Sequence, residues 1–156
     1  EISSCDWSSD VCSSDLMLIA SNMAGIAFGN AGVGAVHAMS YPLGGNYHVP
    51  HGEANYQFLV AVFNAYTRKN PDGKIKDLNL YVAKLLDVPV EELYTCLSAI
   101  LSQLVVKQPL KDYGMKEEEI ETFADSVIAT QQRLLANNYV ELSRDEIRDI
   151  YKEVYY

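Results

Sequence analysis

Positive charge is scarce in this chain. Its 156 residues carry 12 Lys and Arg against 21 Asp and Glu, a net charge of −9 with histidine neutral, and no local Lys/Arg run offsets that balance. A surface of this sign repels phosphate backbones, so nucleic acid is not an expected partner. Cysteine is nearly missing too: Cys5, Cys12 and Cys96 are the only three. No basic stretch leads into an apolar core at the N-terminal end, which excludes a signal peptide. Strand-like alternation, internal repeats and linker-like tracts are absent as well. What remains is an ordinary globular balance, 49% hydrophobic and 21% charged, of a size that fits one domain with a real core.

The first sixteen residues stand apart. They hold two of the three cysteines, the single Trp7 and four acids, and show neither a helical nor a strand period. Asp6 to Leu16 resembles a translated sequencing-library adapter, so residues 1–16 are expected to be a non-native segment and residues 17–156 the domain proper. Without that segment the balance is 12 bases against 17 acids, a net charge of −5. The one thiol then left, Cys96, sits in an apolar helical run and reads as a small buried hydrophobe. A lone thiol suits a reducing cytoplasm.

From Met17 onward the spacing predicts helix after helix, an all-α fold. Met17 to about Met39 is apolar and rich in Gly and Ala. It is long enough to span a bilayer, with Gly25 and Gly29 in a small-residue packing pattern. Four glycines, two asparagines and a histidine make a poor lipid-facing surface, so a helix buried in a soluble core is the expectation and membrane insertion is not. Gly29, Gly32 and Gly34 cost helix propensity and imply that something approaches closely there. Tyr41-Pro-Leu-Gly-Gly-Asn46 reads as a turn. A second helix starts around Pro50 and His51 and runs to about Lys69, before the turn Asn70-Pro-Asp-Gly73. Further helices are expected over Ile75–Leu86, Glu91–Lys107 and Lys116–Leu135. The last opens at the capping box Ser143-Arg-Asp-Glu146.

All three histidines, His37, His48 and His51, fall in one short segment rich in Pro and Gly. His37 is placed near the C-terminal end of the first helix and His51 at the start of the next, so a tight turn can bring the two imidazoles together. A helix N-terminus disfavours the imidazolium form and keeps a nitrogen lone pair free. Metal binding and polar capping of the turn both remain open on spacing alone. A catalytic divalent ion needs three or four protein ligands, and Glu53 points to a different helix face.

The pattern Asn30-Ala-Gly-x-Gly-x-x-His37, then Tyr41-Pro-Leu-Gly-Gly, then Pro50-His51-Gly52-x-x-Asn55 resembles the second signature of the iron-containing (group III) alcohol dehydrogenases. The Gln131-Arg-Leu-Leu-Ala-Asn-Asn run and the capped tail resemble that family's C-terminus, so the resemblance covers nearly everything after residue 16. Within the family, the run Gly-Gly-Asn-Tyr-His-Val-Pro-His-Gly-Glu-Ala-Asn-Tyr-Gln-Phe is most similar to the branch that acts on 4-hydroxybutyrate. The resemblance implies the C-terminal helical domain of a dehydroquinate synthase-like fold, without its N-terminal α/β cofactor domain. It also implies a metal held by an Asp and three His, two of which match His37 and His51. That metal would be Fe(2+), or another divalent ion. The implied reaction interconverts 4-hydroxybutyrate and succinate semialdehyde with NAD(H), the cofactor being held mainly by the missing domain. A small alcohol or aldehyde substrate, a homo-oligomeric full-length form and a cytoplasmic location go with it, and the fragment alone is expected to be inactive. The alternatives are a dehydrogenase for another short, butanol-type alcohol and a non-catalytic helical interaction module.

The chain departs from the family at one position. Many members carry a histidine four residues after the first metal ligand, near the nicotinamide, where this chain has Tyr41. A catalytic role there falls to a tyrosine hydroxyl bonding cofactor or substrate, against plain packing of the ring in a turn. His48 matches no family ligand; it reads either as a contact for a substrate carboxylate or as a surface turn histidine. Phe28 stands where a cleft-lining side chain is expected, and as a lone aromatic on an apolar helix it equally reads as core.

Overall fold

The computed structural model describes the backbone from Trp7 and the side chains from Ser14 through Tyr156. Among the described residues there is no strand, in agreement with the all-α expectation. The chain divides into two compact units, Glu1–Gly32 and Val33–Tyr156.

The described part of the first unit is a single helix, α1 (Trp7–Ala31). It starts inside the segment that shows no helical period, because propagation adds a hydrogen bond per residue once the apolar stretch has nucleated. It stops earlier than Met39. Gly32 takes φ +75°, and its N–H closes on the Phe28 carbonyl at 2.8 Å. Within this unit Leu16, Met17, Leu18, Ile19, Met23, Ile26 and Phe28 are exposed, because a helix that is apolar around its circumference needs partners on several sides and the described part of the unit offers none. No single helix among the described residues is long and apolar enough to cross a membrane.

The second unit holds the core. Helix α2 (Ala35–Tyr47) packs on α3 (His51–Lys69), with α6 (Glu119–Thr130) and α8 (Arg144–Tyr155) against them. Between these run α4 (Lys74–Leu86), a 3₁₀ turn at Val90–Glu92, α5 (Leu93–Leu101), a second 3₁₀ turn at Leu110–Tyr113, and the short α7 (Gln132–Leu135). The buried stripes have helical spacing: Ala35, Ala38, Met39 and Leu43 on α2; Ala54, Phe58, Ala61 and Val62 on α3; Ile147, Ile150, Tyr151 and Val154 on α8. Tyr151 joins them. Its ring meets Phe58 edge-on at 5.2 Å and Phe123 at 6.0 Å, and its hydroxyl donates to the Met39 carbonyl at 2.6 Å.

Several boundaries differ from the sequence expectation. Tyr41–Asn46 is not a turn: it continues α2, with Pro42 inside the helix. Tertiary burial of Met39 and Leu43 on either side outweighs the lost N–H of Pro42. The real bend is His48 to Pro50, where His48 takes φ +56° and its N–H closes on the Gly44 carbonyl at 3.0 Å. Helix α5 ends at Leu101, well short of Lys107, and Ile100 and Leu104 are exposed. The β-branched Val105-Val106 pair and Pro109 favour extended backbone there. The Lys116–Leu135 helix is split at Gln131, where Thr130 Oγ1 donates to the Ser126 carbonyl at 2.7 Å and satisfies the end of α6. Cys96 is half-buried rather than fully so. The capping box is as expected: Ser143 Oγ accepts from Glu146 N–H, and Glu146 Oε2 accepts from Ser143 N–H at 2.7 Å.

Candidate metal centre

The start of α2 explains where its histidine stands. Gly34 caps the helix without a side chain, and the capping oxygen comes instead from Asn138, 103 residues on. Asn138 Oδ1 accepts from Ala35 N–H at 2.7 Å and from the Tyr66 hydroxyl at 2.8 Å. A Cβ at Gly34 would stand 2.6 Å from that oxygen, so the close approach that the glycines suggest is real here. At Gly29 nothing lies within 4 Å. His37 therefore sits in the first turn of α2, not at the end of the preceding helix.

His51 opens α3 directly after Pro50. His37 and His51 thus each lie in the first turn of a helix. Partial burial pushes the His37 pKa below its usual value, and the neighbouring His51 adds to the effect. The two ring centroids are 5.0 Å apart and tilted by 53°. Tyr41, one turn after His37, lays its ring on His51 at 5.9 Å and 18°, close to parallel. Asn55, one turn after His51, brings Nδ2 to 3.1 Å from His51 Nε2 and 3.4 Å from His37 Nδ1.

The pair fits a shared divalent ion. An ion about 2.1 Å from an imidazole nitrogen lies about 3.2 Å from the ring centre. Rings 5.0 Å apart then subtend roughly 100° at such an ion, within the range of tetrahedral and octahedral coordination. Neutral imidazole is also the protonation state that ligation requires. Among the described residues no third His, Cys, Asp or Glu completes a cluster. Glu53 is engaged elsewhere, accepting from the Tyr113 hydroxyl at 2.7 Å. Two imidazoles alone do not complete a metal site.

Of the remaining expected site residues, Tyr41 is in contact with the pair. His48 is exposed in the left-handed position that ends α2, and Phe28 belongs to the other unit. Tyr41 is 43% exposed, so its hydroxyl has room for a ligand while its ring contacts His51. Asn138 and the bridging role of Asn55 are not apparent in the sequence pattern. The spacing of Asn55 four residues after His51 on one helix could have flagged the second of these.

An all-helical core thus presents His37 and His51 to each other from the starts of adjacent helices. The chain matches the model of the Fe-containing alcohol dehydrogenase family, C-terminal, over residues 3–155, and it belongs to that family. Among its relatives is the 4-hydroxybutyrate dehydrogenase of Clostridium kluyveri, 62% identical over 138 residues, covering 88% of this chain and 37% of that protein. A long-chain-alcohol dehydrogenase of Geobacillus thermodenitrificans is 34% identical, covering 86% of this chain and 35% of that protein. A crystal structure of 1,3-propanediol oxidoreductase superposes with a TM-score of 0.71 at 28% identity, covering 84% of this chain and 35% of that one. The chain thus spans little more than a third of the length of these relatives.

Proposed function

We propose that this chain is the metal-holding helical part of an iron-dependent dehydrogenase that interconverts 4-hydroxybutyrate and succinate semialdehyde with NAD(H). The observation that carries the metal reading is the convergence of His37 and His51, with His37 kept neutral by burial. The substrate is supported by the 62% identity to the Clostridium kluyveri enzyme, against 30% for an NADPH-dependent butanol dehydrogenase of Clostridium saccharobutylicum.

His37 and His51 would be two of the ligands, and the bound ion would supply Lewis-acid polarisation of the substrate oxygen. Burial lowers the His37 pKa, and Tyr41 stacks on the His51 ring. The Tyr41 hydroxyl, on the exposed side of that stack, is suited to hydrogen-bond the substrate or the nicotinamide. His48 and Phe28 are the further candidates for the substrate cleft. We assign the remaining ligands and the main NAD(H) contacts to parts of the parent protein beyond these residues. We place the protein in the cytoplasm, a reading supported by the single thiol of residues 17–156.

A chimera tests this reading: the present chain replaces the 37% of the Clostridium kluyveri enzyme that it matches. The chimera should reduce succinate semialdehyde with NADH and retain bound iron. His37→Ala and His51→Ala should each lose both metal and turnover. Near-normal metal content in both variants would contradict the assignment.

A further inference from the structure

Helix α4 (Lys74–Leu86) is apolar on more sides than the fold covers. Ile75, Asn79 and Ala83 are buried, and Asn79 ties the helix down: its Nδ2 donates to Thr67 Oγ1 at 3.3 Å and its Oδ1 accepts from the Tyr94 hydroxyl at 2.7 Å. Leu78, Tyr81 and Leu85 lie outside that buried face and are 42%, 63% and 65% exposed. Their spacing of three and then four residues gathers them into one stripe, the seam pattern of paired helices. A contiguous apolar stripe left in solvent marks an interface. The anchor at Thr67 lies about 24 Å along α3 from His51, so the stripe is remote from the paired imidazoles.

The charges bordering the stripe identify its partner. Asp77 directly precedes Leu78 and Lys84 directly precedes Leu85, so both stand on the same edge of the stripe, two turns apart. Both are exposed, and neither makes an ion pair among the described residues. When two copies of a helix pair antiparallel about a twofold axis, like edges meet and run in opposite directions. Asp77 of one copy then faces Lys84 of the other, and symmetry repeats the contact, with Tyr81 beside the axis. A parallel pair would set this edge against the opposite one, where Val82 stands in place of a charge. We propose that the partner of this face is a second copy of the chain, joined by an antiparallel, twofold α4–α4 contact.

The three apolar side chains supply the attraction. The ion pairs fix the orientation, since exposed pairs are weak in themselves. A helix of 13 residues is about 20 Å long, and a seam of that length falls short of the roughly 800 Å² per partner of a stable complex. The dimer is therefore weak and depends on concentration. It does not depend on the metal reading, because the imidazoles take no part in the contact.

Sedimentation velocity on the full 156-residue chain over a range of concentrations tests this. The chain should pass from monomer to dimer as concentration rises. Asp77→Lys and Lys84→Asp each set like charges opposite one another, and each should weaken association by on the order of ten-fold. The double variant Asp77→Lys/Lys84→Asp should recover the original affinity, as should an equal mixture of the two single variants. Tyr81→Asp should leave a monomer with unchanged circular dichroism. Should that variant fail to fold, the charge exchange still decides. A chain that stays monomeric throughout overturns the proposal and leaves the face to the rest of the parent protein. Association that the single reversals leave unchanged also overturns it, the result expected if the apolar side chains of α1 carry the contact instead. Single variants that weaken without recovery in the double variant or the mixture overturn the antiparallel pairing.

Discussion

Replacing Gly34 by Ala probes how the first histidine is held. The new Cβ would stand 2.6 Å from Asn138 Oδ1 and 3.5 Å from the Tyr66 hydroxyl. Gly34 has φ −115°, so backbone strain is not the issue; the carboxamide has to leave. Its departure breaks the bonds from Ala35 N–H and Tyr66 O–H, each worth about 1 kcal/mol, and strands two buried donors at a further cost. Together these come to about 2–4 kcal/mol. For a folding unit of this size that lowers the melting temperature by roughly 8–16 °C. Thermal and urea unfolding followed by circular dichroism on the full chain read the effect. The decisive comparison is a double-mutant cycle: in an Asn138→Ala background, Gly34→Ala should cost almost nothing more, a coupling of about 2 kcal/mol. A Gly34→Ala protein within about 0.5 kcal/mol of the original would refute the reasoning, as would strictly additive costs.

Acid should loosen the junction of α3 and α8. The Lys69 ammonium, 2.7 Å from Glu146 Oε2, holds that carboxyl below its ordinary value, with the Ser143 N–H assisting. A depressed carboxylate stabilises the fold above its ordinary pKa of 4.5 and loses that contribution as pH falls through the lower folded value. Glu146→Gln should therefore lower stability at neutral pH and flatten the acid limb of the pH–stability curve; an unchanged limb would count against the linkage. The isolated chain should not oxidise 4-hydroxybutyrate or reduce succinate semialdehyde, because two imidazoles are too few to hold a catalytic ion firmly. NADH-dependent turnover by the purified chain would show that conclusion to be wrong.

Much of this was readable in advance where local chemistry decides. The limits of α3 and the capping box at Ser143 follow from turn and cap chemistry. The stretch from His37 to Asn46 was misread because Pro and two glycines signal a turn locally. Burial of Met39 and Leu43, and the Tyr151 hydroxyl on the Met39 carbonyl, keep it helical. The Tyr151 contact comes from 112 positions away and leaves no mark on the local pattern. The same holds for Asn138, whose cap on α2 places His37 in a first turn.

The central claim is that His37 and His51 share one cation. Titrating the full chain with paramagnetic Co2+ while following the three histidine ring signals by NMR tests it directly. The signals of His37 and His51 should broaden together along a single saturation curve, with His48 affected less and later, and both responses should vanish in either His37→Ala or His51→Ala. Independent curves for the two rings, or broadening at His48 first, would contradict the account.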